Sequence, residues 1–253
     1  MIQARAVSDP GPVRKNNEDS WALENALQLY VVADGMGGHS AGEVAAGLAV
    51  EAVVGFIRRS HEETDVSWPY GIDPSLSLNA NRLRTAINLA NRRVFRAAES
   101  HDDYTGMGTT VVAALIAGDH LIVGSVGDSR LYLFSDGTLA QMTRDDTWAA
   151  TILAGNGNPE AVAHHPMRHV LTNVLGARDA APVHMSEHPL ATGDTVLLCT
   201  DGLHGAVDDA TLSTVMREGG SVEGIADRLV KTALAKGSRD NVTALVVRYE
   251  AGA

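Results

Sequence analysis

The sequence predicts an α/β layered domain (α+β) in which the sheets are antiparallel. Three observations carry this. Short apolar runs rich in Val, Leu and Ile recur through the middle and at the end of the chain. Several are joined by two-residue turns, too short for the crossover that a parallel return requires. Long segments of helical spacing stand in pairs between the strand blocks rather than after every strand, which argues against a doubly wound parallel sheet.

Gln28-Leu-Tyr-Val-Val-Ala33 is a buried strand that ends in the tight turn Asp34-Gly-Met-Gly-Gly38. Ala41 to Arg59 reads as a helix whose many alanines make a face for close packing on a sheet. Pro69, Gly71 and Pro74 mark residues 60–78 as a loop, and Asn79 to Glu99 resumes helical spacing through Leu83, Ile87, Val94 and Phe95. Thr109 to Ala117, His120 to Val126 and Arg130 to Ser135 read as three strands, largely antiparallel, with turns at Gly118-Asp119 and Asp136-Gly137. Trp148 to Leu153 is a short helix, and breaks at Gly155-Asn-Gly-Asn-Pro159 and His164-His-Pro166 mark 145–180 as a flap. Thr195 to Thr200 returns to strand, Asp208 to Met216 and Val222 to Ala235 are helices, and Val242 to Tyr249 is the last strand. No internal repeat or low-complexity tract interrupts this order, and residues 1–253 read as a single domain.

Composition narrows the function. A chain of 253 residues can bury a full core without disulfides or structural zinc. The single cysteine, Cys199, sits in the apolar run Thr195-Val-Leu-Leu-Cys-Thr200 and reads as a small buried hydrophobe in a reducing compartment. The formal net charge of −11 makes nucleic acid a poor partner. Met1-Ile-Gln-Ala-Arg5 does not read as a signal peptide, and no apolar stretch is long enough to span a membrane. A cytoplasmic protein with no membrane contact is expected.

The acids are placed unevenly. Asp34-Gly35, Asp128-Ser129 and Asp201-Gly202 lie beside predicted strand ends or turns, Asp240-Asn241 precedes the last strand, and Asn17-Glu18-Asp19 lies near the start. Hard divalent cations prefer oxygen ligands, and carboxylates from separate strand ends can meet at one point. Any one Asp-Gly pair is equally a turn. The spacing fits neither an EF-hand nor a zinc site, and Ser129 is in no nucleophile elbow. Residues alone point to a hydrolase with a carboxylate metal site.

Six motifs occur in order: Arg14-Lys-Asn-Asn-Glu-Asp19, Asp34-Gly-Met-Gly-Gly-His39, Gly108-Thr-Thr110, Gly127-Asp-Ser-Arg130, Asp201-Gly202 and Asp240-Asn241, with Asn173-Val-Leu-Gly176 and His165-Pro166 in the flap. This pattern resembles the PPM/PP2C family of metal-dependent protein phosphatases in its compact bacterial form, over nearly the whole chain. The resemblance implies an αββα sandwich of two antiparallel sheets flanked by helices. It implies hydrolysis of phosphoserine and phosphothreonine esters in proteins by a metal-activated water at two Mn²⁺ or Mg²⁺ ions, with a third, weaker ion. It assigns Asp34 to bridge two metals, the Gly35 carbonyl to bind one, and Asp201 and Asp240 to complete the other. Asp128 would hold the third ion together with Asp201. Glu18 and Asp19 would reach the metals through water, with Asn241 beside them, and Arg14 would grip the substrate phosphate. Met36 stands where many eukaryotic members carry a histidine proposed as general acid, so His39 or a metal-bound water takes that part. Asp145-Asp146 with Trp148 at the flap entrance is a further departure. Implied partners are phosphoproteins, including a serine/threonine kinase or its substrates, met by a monomeric chain. Two other readings stand beside this one. The first is a specialised regulatory phosphatase for one phosphoprotein, such as an anti-sigma-factor antagonist. The second is a non-catalytic phosphoprotein-binding domain, against which intact Arg14, Asp34, Asp201 and Asp240 speak.

Overall fold

The computed structural model describes residues 2–38, 41–62 and 67–251. They form two antiparallel sheets packed face to face, with a helical layer outside each. One sheet has five strands in the order β1 (Gln3–Asp9), β11 (Val242–Arg248), β10 (Thr195–Cys199), β7 (Arg130–Ser135), β8 (Thr138–Gln141). The other has the order β2 (Asp19–Glu24), β3 (Leu29–Met36), β5 (Val111–Ala117), β6 (His120–Val126), β9 (His184–Pro189), and the two-residue β4 (Gly108–Thr109) also pairs with β3. The αββα arrangement expected from the sequence is present.

Side-chain alternation explains the layers, because successive residues of a strand face opposite sides. Leu29, Val31 and Ala33 of β3 join Ala45, Ala49, Val53 and Ile57 of α1 (Ala41–Glu62) and Leu83, Ile87 and Val94 of α2 (Leu78–Ser100). Tyr30 and Val32 point the other way and meet Leu131, Leu198 and Leu245 of the facing sheet. Leu197, Cys199, Ala244 and Val246 on the far face of that sheet pack against Leu212 and Met216 of α6 (Asp209–Glu218) and Ile225 and Leu229 of α7 (Val222–Ala235). Cys199 is fully buried, as its neighbours suggested. Polar caps set the helix starts. The side chains of Ser77, Asp208 and Ser221 accept hydrogen bonds from the amides of Ala80, Thr211 and Gly224.

The structure corrects the strand reading in two places. β5 and β6 pair around the Gly118-Asp119 turn, but β7 does not continue that sheet. Gly127 has φ +97°, and a Cβ there would sit 2.6 Å from the Thr110 side chain. The chain turns sharply at this glycine and carries β7 into the opposite sheet. The second correction concerns β1, β2, β8 and β9, which the apolar runs did not reveal. All four are edge strands, with polar residues between sparse apolar ones, as edges require. The helices also run slightly beyond their predicted ends, α1 reaching Glu62 and α2 reaching Ser100.

Strand direction gathers the acids. Asp19 is the register partner of Asp34. Cys199, just before Asp201, is paired with both Ala244 of β11 and Arg130 of β7. The start of β2, the end of β3, the end of β10 and the starts of β7 and β11 therefore share one rim of the sandwich. The short α5 (Asp201–His204) begins directly at that rim. Gly202 lies so near the last strand that a Cβ would fall 2.0 Å from the Asn241 carbonyl oxygen. Gly202→Ala is expected to destabilise the fold by about 1–3 kcal/mol through overpacking. Gly47→Ala, in α1 with open space around it, is expected to be neutral or stabilising by up to ~1 kcal/mol. Equilibrium denaturation of the two variants checks the contrast.

Candidate metal centre

The rim opens into a cleft of about 1230 Å³, lined among others by Arg14, Asp128, Asp201, Asp240, His169 and His204. Asp34 enters on the end of β3. Its amide donates to Thr110 Oγ1 at 3.0 Å, and its carbonyl accepts from the Thr110 amide and the Thr109 hydroxyl. Gly35 donates its amide to the Glu18 carbonyl. Asp34 to Met36, expected as a turn, continue β3, with Gly35 and Met36 paired to β4. A Cβ at Gly35 would lie 2.0 Å from the Gly42 carbonyl oxygen, so only glycine lets the start of α1 lie against this end of the strand.

The acids perturb one another. Burial first, then Asp19, Asp201, Asp128 and Asp240, hold Asp34 well above the ordinary carboxylate range. Burial and Asp240 raise Asp201, which a hydrogen bond with the Asp34 carboxyl partly offsets. Asp128 is pushed up to about 7 by burial, with Asp201 and Asp145 adding to it. Asp19 also reaches about 7 through burial, although the Thr243 and Thr200 hydroxyls donate to its Oδ2 at 2.6 and 2.9 Å. Its other oxygen, and Oδ1 of Asp201, are buried without a hydrogen-bond partner. Crowded carboxylates with unpartnered buried oxygens are costly unless something positive joins them. A hard divalent cation is the species whose charge and oxygen preference match this donor set.

Among the described residues no three His, Cys, Asp or Glu side chains form a closed ligand cage. The outer acids are turned toward protein donors instead. Asp240 Oδ2 accepts from the Arg14 guanidinium at 2.7 Å and its Oδ1 from the Asn241 amide at 2.9 Å. Arg14 and Asp240 are both substantially exposed, so their pair contributes little to stability. Glu18 is raised by burial, an effect opposed by Arg14. The Asn241 side chain ties the N-terminal loop down. It accepts from the Glu18 amide and donates to the carbonyls of Pro10 and Asn16. Asp34, Asp201, Asp128 and Asp19 thus share one electrostatic site, with Glu18, Asp240, Asn241 and Arg14 at its edge. His39 lies outside the described residues. Met36 is 41% exposed.

One group escaped the sequence reading, and another stood out there only as a departure without a role. His204 on α5 makes a 3.0 Å hydrogen bond to the Asp128 carbonyl oxygen, and burial with Arg130 lowers it to about 4, so it is neutral there. The second is the Asp145-Asp146 pair. Asp145 binds Arg130 through two guanidinium nitrogens, with contacts of 2.7–3.2 Å. Asp146 accepts from the Gly127 amide at 3.1 Å and from Asn173 at 2.8 Å, and it pairs with His184 at 2.7 Å. These contacts hold segment 145–180 against the turn that carries Asp128. That segment contains α3 (Trp148–Ala154) and α4 (Pro159–Ala163), and Trp148 stacks on His165.

The Protein phosphatase 2C family model matches residues 13–236. The chain belongs to the protein phosphatase 2C family. The serine/threonine protein phosphatase PstP of Mycobacterium tuberculosis is 37% identical over 256 residues, covering 100% of this chain but 46% of PstP. The chain therefore spans about half the length of that relative. The serine/threonine phosphatase stp of Listeria welshimeri is 34% identical, over 97% of this chain and 95% of its own. A crystal structure of the PstP catalytic domain in complex with two manganese ions superposes with a TM-score of 0.81 at 35% identity, covering 98% of this chain and 97% of that one. The phosphatase 2C architecture thus extends through the edge strands β1 and β9, which lack apolar runs.

Asp146→Ala removes the acceptor for the Gly127 amide, Asn173 and His184 together. The buried Gly127 amide is left without a partner, which costs about 1–3 kcal/mol, and a loss of that size is expected, with proteolysis of segment 145–180 accelerated. Limited proteolysis followed by mass spectrometry reads the second effect.

Proposed function

We propose that this chain is a metal-dependent protein serine/threonine phosphatase that hydrolyses phosphoserine and phosphothreonine esters in proteins. The observation that carries this is the enclosed group of Asp34, Asp201, Asp128 and Asp19, mutually perturbed and with unpartnered oxygens, at the mouth of a cleft large enough for a polypeptide segment. Asp34, the Gly35 carbonyl, Asp201 and Asp240 would hold two divalent cations, Mn²⁺ or Mg²⁺. Asp128 with Asp201 would hold a third, weaker one. The turn around Asp128 is already held by Asp146, His204 and the Thr110–Ser129 hydroxyl pair, so its carboxylate is not needed for that purpose. When bound, such cations polarise phosphoryl oxygens and acidify water.

The protein groups do the rest. Arg14 stands at the edge of the acids, where its planar guanidinium can leave Asp240 and clamp two phosphate oxygens. Asp19 and Glu18, braced by Thr200, Thr243 and Asn241, orient water beside the inner carboxylates. Met36 cannot donate a proton to the leaving serine or threonine oxygen, and we assign that step to His39 or to water. Ser129 is a support residue: its hydroxyl is buried against Thr110. No helix among the described residues is long and apolar enough to cross a membrane. The reading is of a cytoplasmic, monomeric enzyme in a signalling pathway that opposes a serine/threonine kinase.

Phosphate release from a phosphothreonine peptide is expected with added Mn²⁺, to disappear in excess EDTA, and to return when Mn²⁺ is restored. Release that persists in EDTA, or that never appears with either ion, would rule the function out.

A further inference from the structure

A second concave surface lies away from the acid rim, in the helical layer outside the six-stranded sheet. It is a groove of about 440 Å³ between α1 and α2. Arg59 on α1 and Arg92, Arg93 and Arg96 on α2 form its walls, and Ala52 and Leu89 contribute to its floor. All four arginines are exposed. Glu51 also lines it and holds Arg93 at 2.7 Å. The guanidinium groups of Arg59, Arg92 and Arg96 have no hydrogen-bond or ion-pair partner among the described residues.

This charge is out of character with the chain. The net charge is −11, yet α1 and α2 together carry seven of its twenty basic residues against four glutamates. Arg92 and Arg96 stand one turn apart, the spacing at which like charges on a helix repel. The alternative is a solvated basic face. Such a face needs neither concavity nor an apolar floor, and neighbouring surface arginines elsewhere are paired, Arg58 with Glu24 and Arg84 with Asp73.

We propose that the α1–α2 groove is a docking site for a phosphorylated polypeptide segment, one carrying a phosphate other than the one being hydrolysed. Guanidinium groups match phosphate oxygens in bidentate geometry. The volume is within the range of small-ligand pockets, enough for a phosphorylated side chain and its neighbours, whose aliphatic parts the floor can cover. The acidic remainder of the surface repels a long polyanion, which favours a short phosphorylated segment over nucleic acid. The inference rests on the phosphatase reading above, since it adds a second anchor for the same class of substrate.

The test uses the full chain, wild type and Arg92→Glu/Arg96→Glu, with Arg92→Gln/Arg96→Gln as a milder second variant should the first fail to fold. Turnover of p-nitrophenyl phosphate and of a singly phosphorylated threonine peptide with Mn²⁺ should be unchanged in the variant. kcat/KM for doubly phosphorylated peptides, with the second phosphothreonine placed at a series of spacings from the first, should fall at least about fivefold at the best spacing, within the reach of two charge-assisted contacts. Fluorescence anisotropy in EDTA should show the matching loss of affinity for the doubly phosphorylated peptide of that spacing. Unchanged kcat/KM and affinity at every spacing would overturn the proposal, as would equal or tighter groove-dependent binding of an oligonucleotide. Absence of p-nitrophenyl phosphate turnover in the wild type would instead defeat the phosphatase reading, and the anisotropy measurement would still decide the groove.

Discussion

The structure turns on one electrostatic constraint: several carboxylates enter the same enclosed rim and cannot all be ionised there alone. Burial raises Asp34, Asp201, Asp128 and Asp19 together, and Asp19, Asp201 and Asp128 each make ionisation of Asp34 harder. A protein gains nothing in stability from such an arrangement. Burying like charges is costly, and an apolar rim would pack better. The arrangement is intelligible as a site that a divalent cation completes, because a cation favours the ionised form of every acid in it.

Much of the neighbouring structure serves to keep those acids in place. Two sheets bring strand ends to one rim, and glycines at 35 and 202 let backbone approach backbone where a Cβ would collide. Asn241 pins the loop that carries Arg14 and Glu18. Asp146 pins segment 145–180 to the Gly127 turn through the Gly127 amide. These anchors are hydrogen bonds to backbone groups, which fix position without adding positive charge at the centre. Arg14 is the exception, at the exposed margin, where its pairing with Asp240 contributes little to stability.

The legible parts of the sequence were those with a local physical signature. Apolar runs disclosed the central strands β3, β5, β6, β7, β10 and β11, because both their faces are covered. The alternating, half-polar edge strands β1, β2, β8 and β9 carried no such signal. Asp34, Asp128 and Asp201 stood out because a strand end or turn adjoined each, but their meeting at one rim depends on sheet order, which no local pattern encodes. The passage of β7 into the other sheet hinged on Gly127, which reads like any turn glycine. Asp146 was visible only as a departure in the flap, since its partners Gly127, Asn173 and His184 are separated from it by nineteen to thirty-eight residues. The pairing of Arg14 with Asp240 spans 226 residues and was equally out of reach.

The central claim is that the crowded acids are a cation site centred on Asp34. Counting tightly bound Mn²⁺ per chain after dialysis, in the wild type and in Asp34→Asn, tests it most directly, with circular dichroism to verify that both are folded. Two ions per wild-type chain and fewer than one per folded Asp34→Asn chain is the predicted result. A wild type that retains no Mn²⁺, or an Asp34→Asn chain that retains two ions, would contradict it.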